Sequence, residues 1–304
     1  MAARELIVLG TASQAPTRFR NHNGYLLRWD GEAVLFDPGE GTQRQMLMAG
    51  VASPVITRIC ITHFHGDHCL GLPGVLGRLA LDRVTHPVHV YYPAAGQPYL
   101  DRLRHAAAMD QPAEIVEHPV SESGPVSAGP PFSVTGAFLD HRITAVGWRL
   151  VEPDGRRMLP AALEAAGIRG PDVGRLLAEG SIAVGGRRVG LEDVSTFRAG
   201  QKMAFIMDTR WCESALELAD GVDLLVCEST FLEAEGELAD AYGHLTAAQA
   251  ARLARDAGAR RLVLTHYSQR HPDEQVYLAE AAPLFAATTV VRDFDVIPVP
   301  RRDD

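Results

Sequence analysis

At 304 residues, 46% hydrophobic and 22% charged, the chain has the make-up of a globular protein with room for one large two-layer domain carrying an insertion. A net charge of −9 excludes indiscriminate coating of nucleic acid, which needs Lys and Arg to neutralise phosphates, so any such binding must rest on local basic residues. No apolar run approaches the length that spans a bilayer, no secretion signal opens the chain at Met1, and Cys60, Cys69, Cys212 and Cys227 form no CxxC pair; the expectation is a reducing cytoplasm and no membrane partner.

Glu5 to Gly10 reads as a first strand. The polar loop that follows, Thr11 to Asn23, carries Arg18, Arg20 and Asn21, and two arginines this close are candidates to grip a phosphate. Tyr25 to Trp29 and Ala33 to Phe36 alternate around Asp30-Gly31, which predicts a hairpin, and Asp37 after it is either a turn residue or a support behind a site. Thr42 to Ala49 is helical in composition and stops at Gly50. The apolar run Ile59-Cys60-Ile61 then releases Thr62-His63-Phe64-His65-Gly66-Asp67-His68: three imidazoles and a carboxylate at a strand end, with Gly66 expected to turn the backbone sharply. A helix from Leu70 to Arg83, a strand from Val88 to Tyr92 and a helix from Pro98 to Met109 follow.

Phe132 to Leu139 and Ala145 to Val151 predict antiparallel neighbours, the first closing on His141. From Glu152 to Gln201 the periodicity fades and glycines accumulate, as in a functional or disordered insertion. Between Arg156 and Lys202, eight basic residues, Arg169 and Arg175 among them, stand against five acidic ones, so a basic arm is attached to an acidic body. Met203 to Met207 ends in Asp208, and Asp223 to Cys227 ends in Glu228. His244 precedes Thr246-Ala247-Ala248-Gln249, a capping-box pattern for a helix that Gly258 should stop. Arg261 to Leu264 closes on His266, and Pro272 is placed to begin the last long helix.

His63, His65, Asp67, His68, His141, Asp208 and His266 share one feature: each falls at or just past the carboxyl end of an apolar strand. One ion in a structural role is a possible reading of the first four, but structural zinc sites are usually rich in cysteine and the chain's four cysteines form no CxxC pair. Seven ligands exceed one coordination shell and suit two ions roughly 3.5–4 Å apart, with a carboxylate bridging and a hydroxide between them. That arrangement hydrolyses phosphodiesters and equally serves lactones or thioesters.

The ITHFHGDH run, followed by lone His141, Asp208 and His266, resembles the metallo-β-lactamase superfamily. Leu9-Gly10-Thr11, the stretches Pro16 to Asn21, Phe36 to Gln45, Thr62 to Gly74, Asp208 to Arg210 and Thr265 to His271, and the insertion Gly174 to Gly180 resemble within it the ribonuclease Z family of transfer RNA 3′-processing endonucleases. The resemblance implies an α/β fold, the metallo-β-lactamase-like αβ/βα sandwich, as a single domain over residues 1–304 with a flexible substrate-binding arm at about 152–201. It also implies two Zn2+ per chain: His63, His65 and His141 on one, Asp67, His68 and His266 on the other, and Asp208 bridging. Asp67 is implied as proton acceptor, His244 as the group assisting departure of the 3′ oxygen, and Glu228 as its orienting partner. Precursor tRNA as substrate and a homodimer, with the arm of one chain presenting RNA to its partner, complete what is implied. The chain departs from the family pattern at Cys227, Ser229 and Leu245. Two other functions compete, a small-molecule lactone or thioester hydrolase, which needs no basic arm, and a non-catalytic RNA-binding module, which needs no second metal set.

Overall fold

Strands that are apolar on both faces must be covered on both sides, and the chain meets that requirement with four layers, helix, sheet, sheet, helix. The computed structural model describes residues 4–108 and 113–302. The first half supplies β1 (Glu5–Gly10), β2 (Gly24–Trp29), β3 (Glu32–Phe36), helix α1 (Thr42–Met48), β4 (Arg58–Cys60), α2 (Gly66–Cys69), α3 (Leu72–Leu81), β5 (Val88–Pro93), α4 (Gln97–Arg104) and β6 (Ile115–Val120). Next come β7 (Gly124–Ser127), β8 (Ser133–Leu139) and β9 (Ala145–Val151). An excursion holds β10 (Gly155–Met158), α5 (Pro160–Ala165), α6 (Pro171–Glu179), β11 (Ser181–Val184), β12 (Arg187–Gly190) and β13 (Ser195–Arg198). The chain re-enters the body with β14 (Lys202–Ile206), α7 (Glu213–Ala219), β15 (Leu224–Glu228), α8 (Gly236–Tyr242), α9 (Ala247–Asp256), β16 (Leu262–Thr265), α10 (Gln275–Ala281), β17 (Thr288–Val290) and β18 (Val296–Pro298).

Among the described residues these strands form two seven-stranded sheets, ordered β18-β1-β2-β3-β4-β5-β6 and β17-β16-β15-β14-β9-β8-β7. Between them lies one apolar layer to which Tyr25, Trp29 and Phe36 of the first sheet and Trp148, Phe205 and Val226 of the second contribute, with Phe36 stacked on Phe205 at 4.5 Å. The opposite faces of the same strands are also apolar. Leu26, Leu35 and Ile59 pack under α1, α3 and α4, while Ile206, Leu225 and Leu264 pack under α7, α9 and α10. The last strand, β18, pairs antiparallel with β1, so the far end of the chain closes the first sheet.

The hairpin forms about Asp30, whose φ of +57° is the left-handed conformation an Asp accepts. The capping box also forms: Thr246 Oγ1 accepts from the Gln249 N–H at 3.1 Å and Gln249 Oε1 from the Thr246 N–H at 2.9 Å. Three expectations change. The helix expected from Pro98 ends at Arg104, and Met109 lies outside the described residues. The last helix starts at Gln275 rather than Pro272, because the carbonyls of His271 and Pro272 are taken by the Arg20 guanidinium at 2.9 and 3.0 Å. Gly66 opens α2 at an ordinary φ and so supplies no sharp turn; a Cβ there would meet only the exposed Leu70 side chain, at 2.9 Å from its Cδ1.

The excursion between β9 and β14 is built rather than irregular. Two two-stranded sheets, β10 with β13 and β11 with β12, and the helices α5 and α6 enclose a separate cluster of Ile168, Leu176, Ile182, Val189 and Val194. Its glycines 167, 170, 180, 185 and 186 have positive φ and serve as the turns between short elements, which is why the stretch reads as structureless from its composition. At its neck, buried Glu152 accepts from Arg4 and Arg198 at 2.8 Å each and from the Gln201 N–H at 3.0 Å.

Candidate metal centre

Loops leaving the carboxyl ends of β4, β8, β14 and β16 meet at one edge of the sandwich and carry His63, His141, Asp208 and His266. The loop after β4 passes straight into α2, which adds His65, Asp67 and His68. Backbone bonds sew this edge together: the Val146 N–H donates to the Thr62 carbonyl at 2.9 Å, and the Tyr267 N–H to the Thr11 carbonyl at 2.8 Å. Asp37, Asp208 and His266 hold φ values of +43°, +39° and +60°, strain that collects where side chains must converge.

The donors fall on two sides of Asp208. Its Oδ2 lies 3.4 Å from His63 Nε2 and 3.7 Å from His141 Nε2, and both nitrogens approach His65 Nδ1, at 2.9 and 3.3 Å. Its Oδ1 lies 3.3 Å from His68 Nε2 and 3.2 Å from His266 Nε2, with Asp67 Oδ2 at 3.3 and 3.6 Å from those same nitrogens. Donors that surround a Zn2+ at about 2.0–2.1 Å stand roughly 3.3 Å apart, so this spacing is that of a coordination polyhedron. Asp208 Oδ1 and His266 Nε2 are fully buried without a hydrogen-bond partner, which leaves two polar atoms aimed at a common point. These residues therefore fit a metal ion.

Four of the imidazoles are held from behind, His63 by the Thr62 hydroxyl at 3.0 Å from its Nδ1. His68 Nδ1 bonds Asp37 Oδ2 at 2.8 Å, and Asp37 also accepts from the Thr62 N–H and hydroxyl at 2.7 Å each, which identifies Asp37 as a support. His141 Nδ1 bonds the Gly243 carbonyl at 2.8 Å, and His266 Nδ1 bonds Thr230 Oγ1 at 2.7 Å. Thr230 in turn donates to Glu228 Oε2 at 2.5 Å. Contacts of this kind fix which imidazole nitrogen faces the metal. Nothing in the sequence singles out Thr62, Thr230 or the Gly243 carbonyl, and only their closeness in the chain to Asp67, Glu228 and His244 hints at them.

The electrostatics favour positive charge at this edge. Burial opposes charge on His68, yet Asp208, Asp67 and Asp37 raise its pKa well above the usual imidazole value; a proton or a metal ion answers the same field. Burial and the neighbouring His68 lower the pKa of His63 to about 3, and burial also lowers those of His65 and His141, leaving their lone pairs available. Burial works against ionised Asp67 and Asp208, but the surrounding imidazoles hold both carboxyls well below the ordinary range. The thiols of Cys60, Cys69 and Cys227 are pushed up by burial and stay protonated packing groups.

His244 sits beside the donor sets without belonging fully to either. Its Nδ1 lies 3.0 and 3.1 Å from the two oxygens of buried Glu228 and 3.9 Å from Asp208 Oδ2. Burial lowers its pKa, but Glu228 and Asp208 outweigh that and raise it to about 9. Nε2 is the nitrogen left to meet a substrate.

The expected arginine grip after β1 is not formed. Arg18 is exposed beside Phe19, whereas Arg20 is buried, stacks over Tyr267 at 5.0 Å and binds the His271–Glu274 segment. Asn21 Nδ2 donates to the carbonyls of His22 and Glu40 at 3.1 and 2.8 Å and so pins the loop. On the arm, Arg169 and Arg175 are exposed; Arg175 lies 3.2 Å from Asp172 and 3.6 Å from Glu179, pairs that cost little to break at a surface.

Two family descriptions match the chain: "Metallo-beta-lactamase superfamily" over residues 17–177 and "Beta-lactamase superfamily domain" over residues 188–267. Among similar proteins, the ribonuclease Z of Nocardia farcinica is 57% identical over 304 residues, covering 99% of this chain and 100% of the relative. That of Streptomyces coelicolor is 56% identical with the same coverage. Of solved structures, human tRNase Z, short form, superposes with a TM-score of 0.72 at 26% identity, covering 97% of this chain and 99% of the other. The metallo-beta-lactamase fold protein YhfI from Bacillus subtilis gives 0.71 at 17% identity over 98% of this chain and 100% of the other, a likeness of fold.

Proposed function

The chain belongs to the ribonuclease Z family of the metallo-β-lactamase superfamily, and from that premise we propose that it is a zinc-dependent endoribonuclease that removes the 3′ trailer from precursor tRNA. The observation that carries the reading is the placement of Asp208, one oxygen toward each of two histidine-rich donor sets. His63, His65 and His141 would hold one Zn2+, Asp67, His68 and His266 would hold a second, and Asp208 would be shared between them. Bound there, such ions make water nucleophilic at neutral pH and polarise the phosphodiester.

The chain's own residues then move protons. Asp67, kept ionised by His68 and His266, accepts the proton of the attacking water. His244, oriented through Nδ1 by Glu228, presents Nε2 to the departing 3′ oxygen and protonates it. Exposed Arg18 in the loop after β1 and Arg169 and Arg175 on the arm meet the RNA backbone, where charge rather than base identity is read. The chain works as a single domain with its arm in a cytoplasmic homodimer, the arm of one protomer presenting RNA to the partner's metal centre. Among the described residues no helix is long and apolar enough to cross a membrane.

Purified, zinc-loaded protein should hold two ions per chain by elemental analysis and release an intact trailer from a precursor tRNA at one position. A single tightly held ion with full activity, or stepwise shortening of the trailer, would contradict the proposal. His244→Ala should keep its metal while losing about 10²- to 10⁴-fold in precursor cleavage, the usual worth of a positioned acid. Bis(p-nitrophenyl) phosphate, whose leaving group needs no proton, should suffer much less; equal losses on both substrates would remove the acid role.

A further inference from the structure

On the His244 side of the metal centre aromatic rings and guanidinium groups lie together, and nothing in the reaction so far uses them. Tyr242, the last residue of α8, is 46% exposed. Its ring lies 15° from parallel to that of buried Phe231, centroids 6.4 Å apart, and Phe231 in turn stands 5.9 Å from the His244 ring. The exposed guanidinium of Arg142 is 5.9 Å from the Tyr242 ring, and that of exposed Arg270 is 5.6 Å from Phe231.

The mounting is rigid. Tyr242 is followed by Gly243, whose carbonyl holds His141, and then by His244. At Gly243 φ is +78° and a Cβ would meet His141 Nδ1 at 2.9 Å, so the backbone there is pressed against a metal-centre imidazole. Arg210, two residues past Asp208, ties α8 to the loop after β8, donating to the Asp240 carbonyl at 2.7 Å and to the Asp140 carboxylate at 3.1 Å. An exposed tyrosine tied at both flanks to the reacting centre is positioned with respect to whatever reacts there.

A half-exposed ring backed by a buried one and flanked by guanidinium groups has the chemistry that holds an unpaired nucleotide, by stacking on its base and by charge on its phosphate. Resting on the ribonuclease reading above, we propose that Tyr242, backed by Phe231 and flanked by Arg142 and Arg270, is the stacking platform for the base of the nucleotide whose 3′ oxygen leaves. The side is set by His244: the group that protonates that oxygen lies next to the nucleotide carrying it. Stacking here orders the scissile phosphate over the metal centre, which makes Tyr242 a specificity-determining residue for a single-stranded 3′ end.

The test compares wild type, Tyr242→Ala and Tyr242→Phe on three substrates: intact precursor tRNA, the same RNA abasic at the nucleotide before the cut, and bis(p-nitrophenyl) phosphate. Tyr242→Ala should lose about 10- to 100-fold in kcat/KM on intact RNA, and Tyr242→Phe should restore most of it, as expected for base stacking on a ring. The abasic RNA should cost wild type a similar factor and cost Tyr242→Ala almost nothing further. An undiminished abasic penalty in Tyr242→Ala, or an equal fall on RNA and on the small ester, would overturn the platform. A wild-type protein that hydrolyses the ester but cuts no RNA would instead overturn the ribonuclease reading, and this inference with it.

Discussion

Replacing Asp208 with alanine is expected to deplete metal from both donor sets at once and to lower phosphodiester hydrolysis by more than about 10⁴-fold, because activation of water at neutral pH rests on the metals. The geometry gives the reason. Oδ2 is the carboxylate oxygen of the His63–His141 set and Oδ1 that of the His68–His266 set, so one side chain completes both. His141→Ala removes a nitrogen from one side only and leaves Asp67, His68, His266 and Asp208 in place, so it should deplete mainly one ion. Asp208→Asn serves as the folding control, since asparagine tolerates the φ of +39° and keeps the shape while dropping the charge. Elemental analysis across the three variants decides: depletion by Asp208→Ala of one site alone, or of both sites alike by His141→Ala, would remove the bridging role.

Deleting Gly155 to Gly200 and closing the gap with a short linker should abolish precursor tRNA cleavage while retaining most hydrolysis of bis(p-nitrophenyl) phosphate. The body is already closed beneath the excursion. β9 and β14 pair directly, with Val151 opposite Lys202, and the Glu152 N–H donates to the Gln201 carbonyl at 2.9 Å. Glu152 keeps Arg4 when Arg198 is removed. What disappears is the surplus of basic residues and the apolar cluster under them. Binding of RNA should also become less sensitive to salt, the slope of log K against log salt falling by about 0.7–0.9 for each phosphate that the arm no longer neutralises. Unchanged precursor cleavage by the deletion variant would remove the arm from substrate recognition.

Features written in local chemistry are legible in the sequence. The Asp30 hairpin, the Thr246 capping box and the apolar strands ending in His63, His141, Asp208 and His266 each declare themselves within a few residues. Where partners come from afar, the sequence is silent. Arg20 looks like a free cation until Tyr267 and Glu274 arrive from some 250 positions away to bury it. Thr62, Thr230 and Gly243 become significant only when an imidazole lands on them. β6 and β7 leave little trace because edge strands half-open to solvent, with Glu117, Pro119 and Pro125 in them, have little of the alternation that marks a half-buried strand. The four short strands of the excursion are hidden by the glycines that turn between them.

The excursion's separate apolar cluster has a thermodynamic meaning. Five buried side chains with seven partly covered neighbours are a small core beside those of the two large sheets, and small cores are expected to open first. On warming, the arm should open while the two large sheets stay packed, so precursor tRNA cleavage should be lost at a lower temperature than hydrolysis of bis(p-nitrophenyl) phosphate.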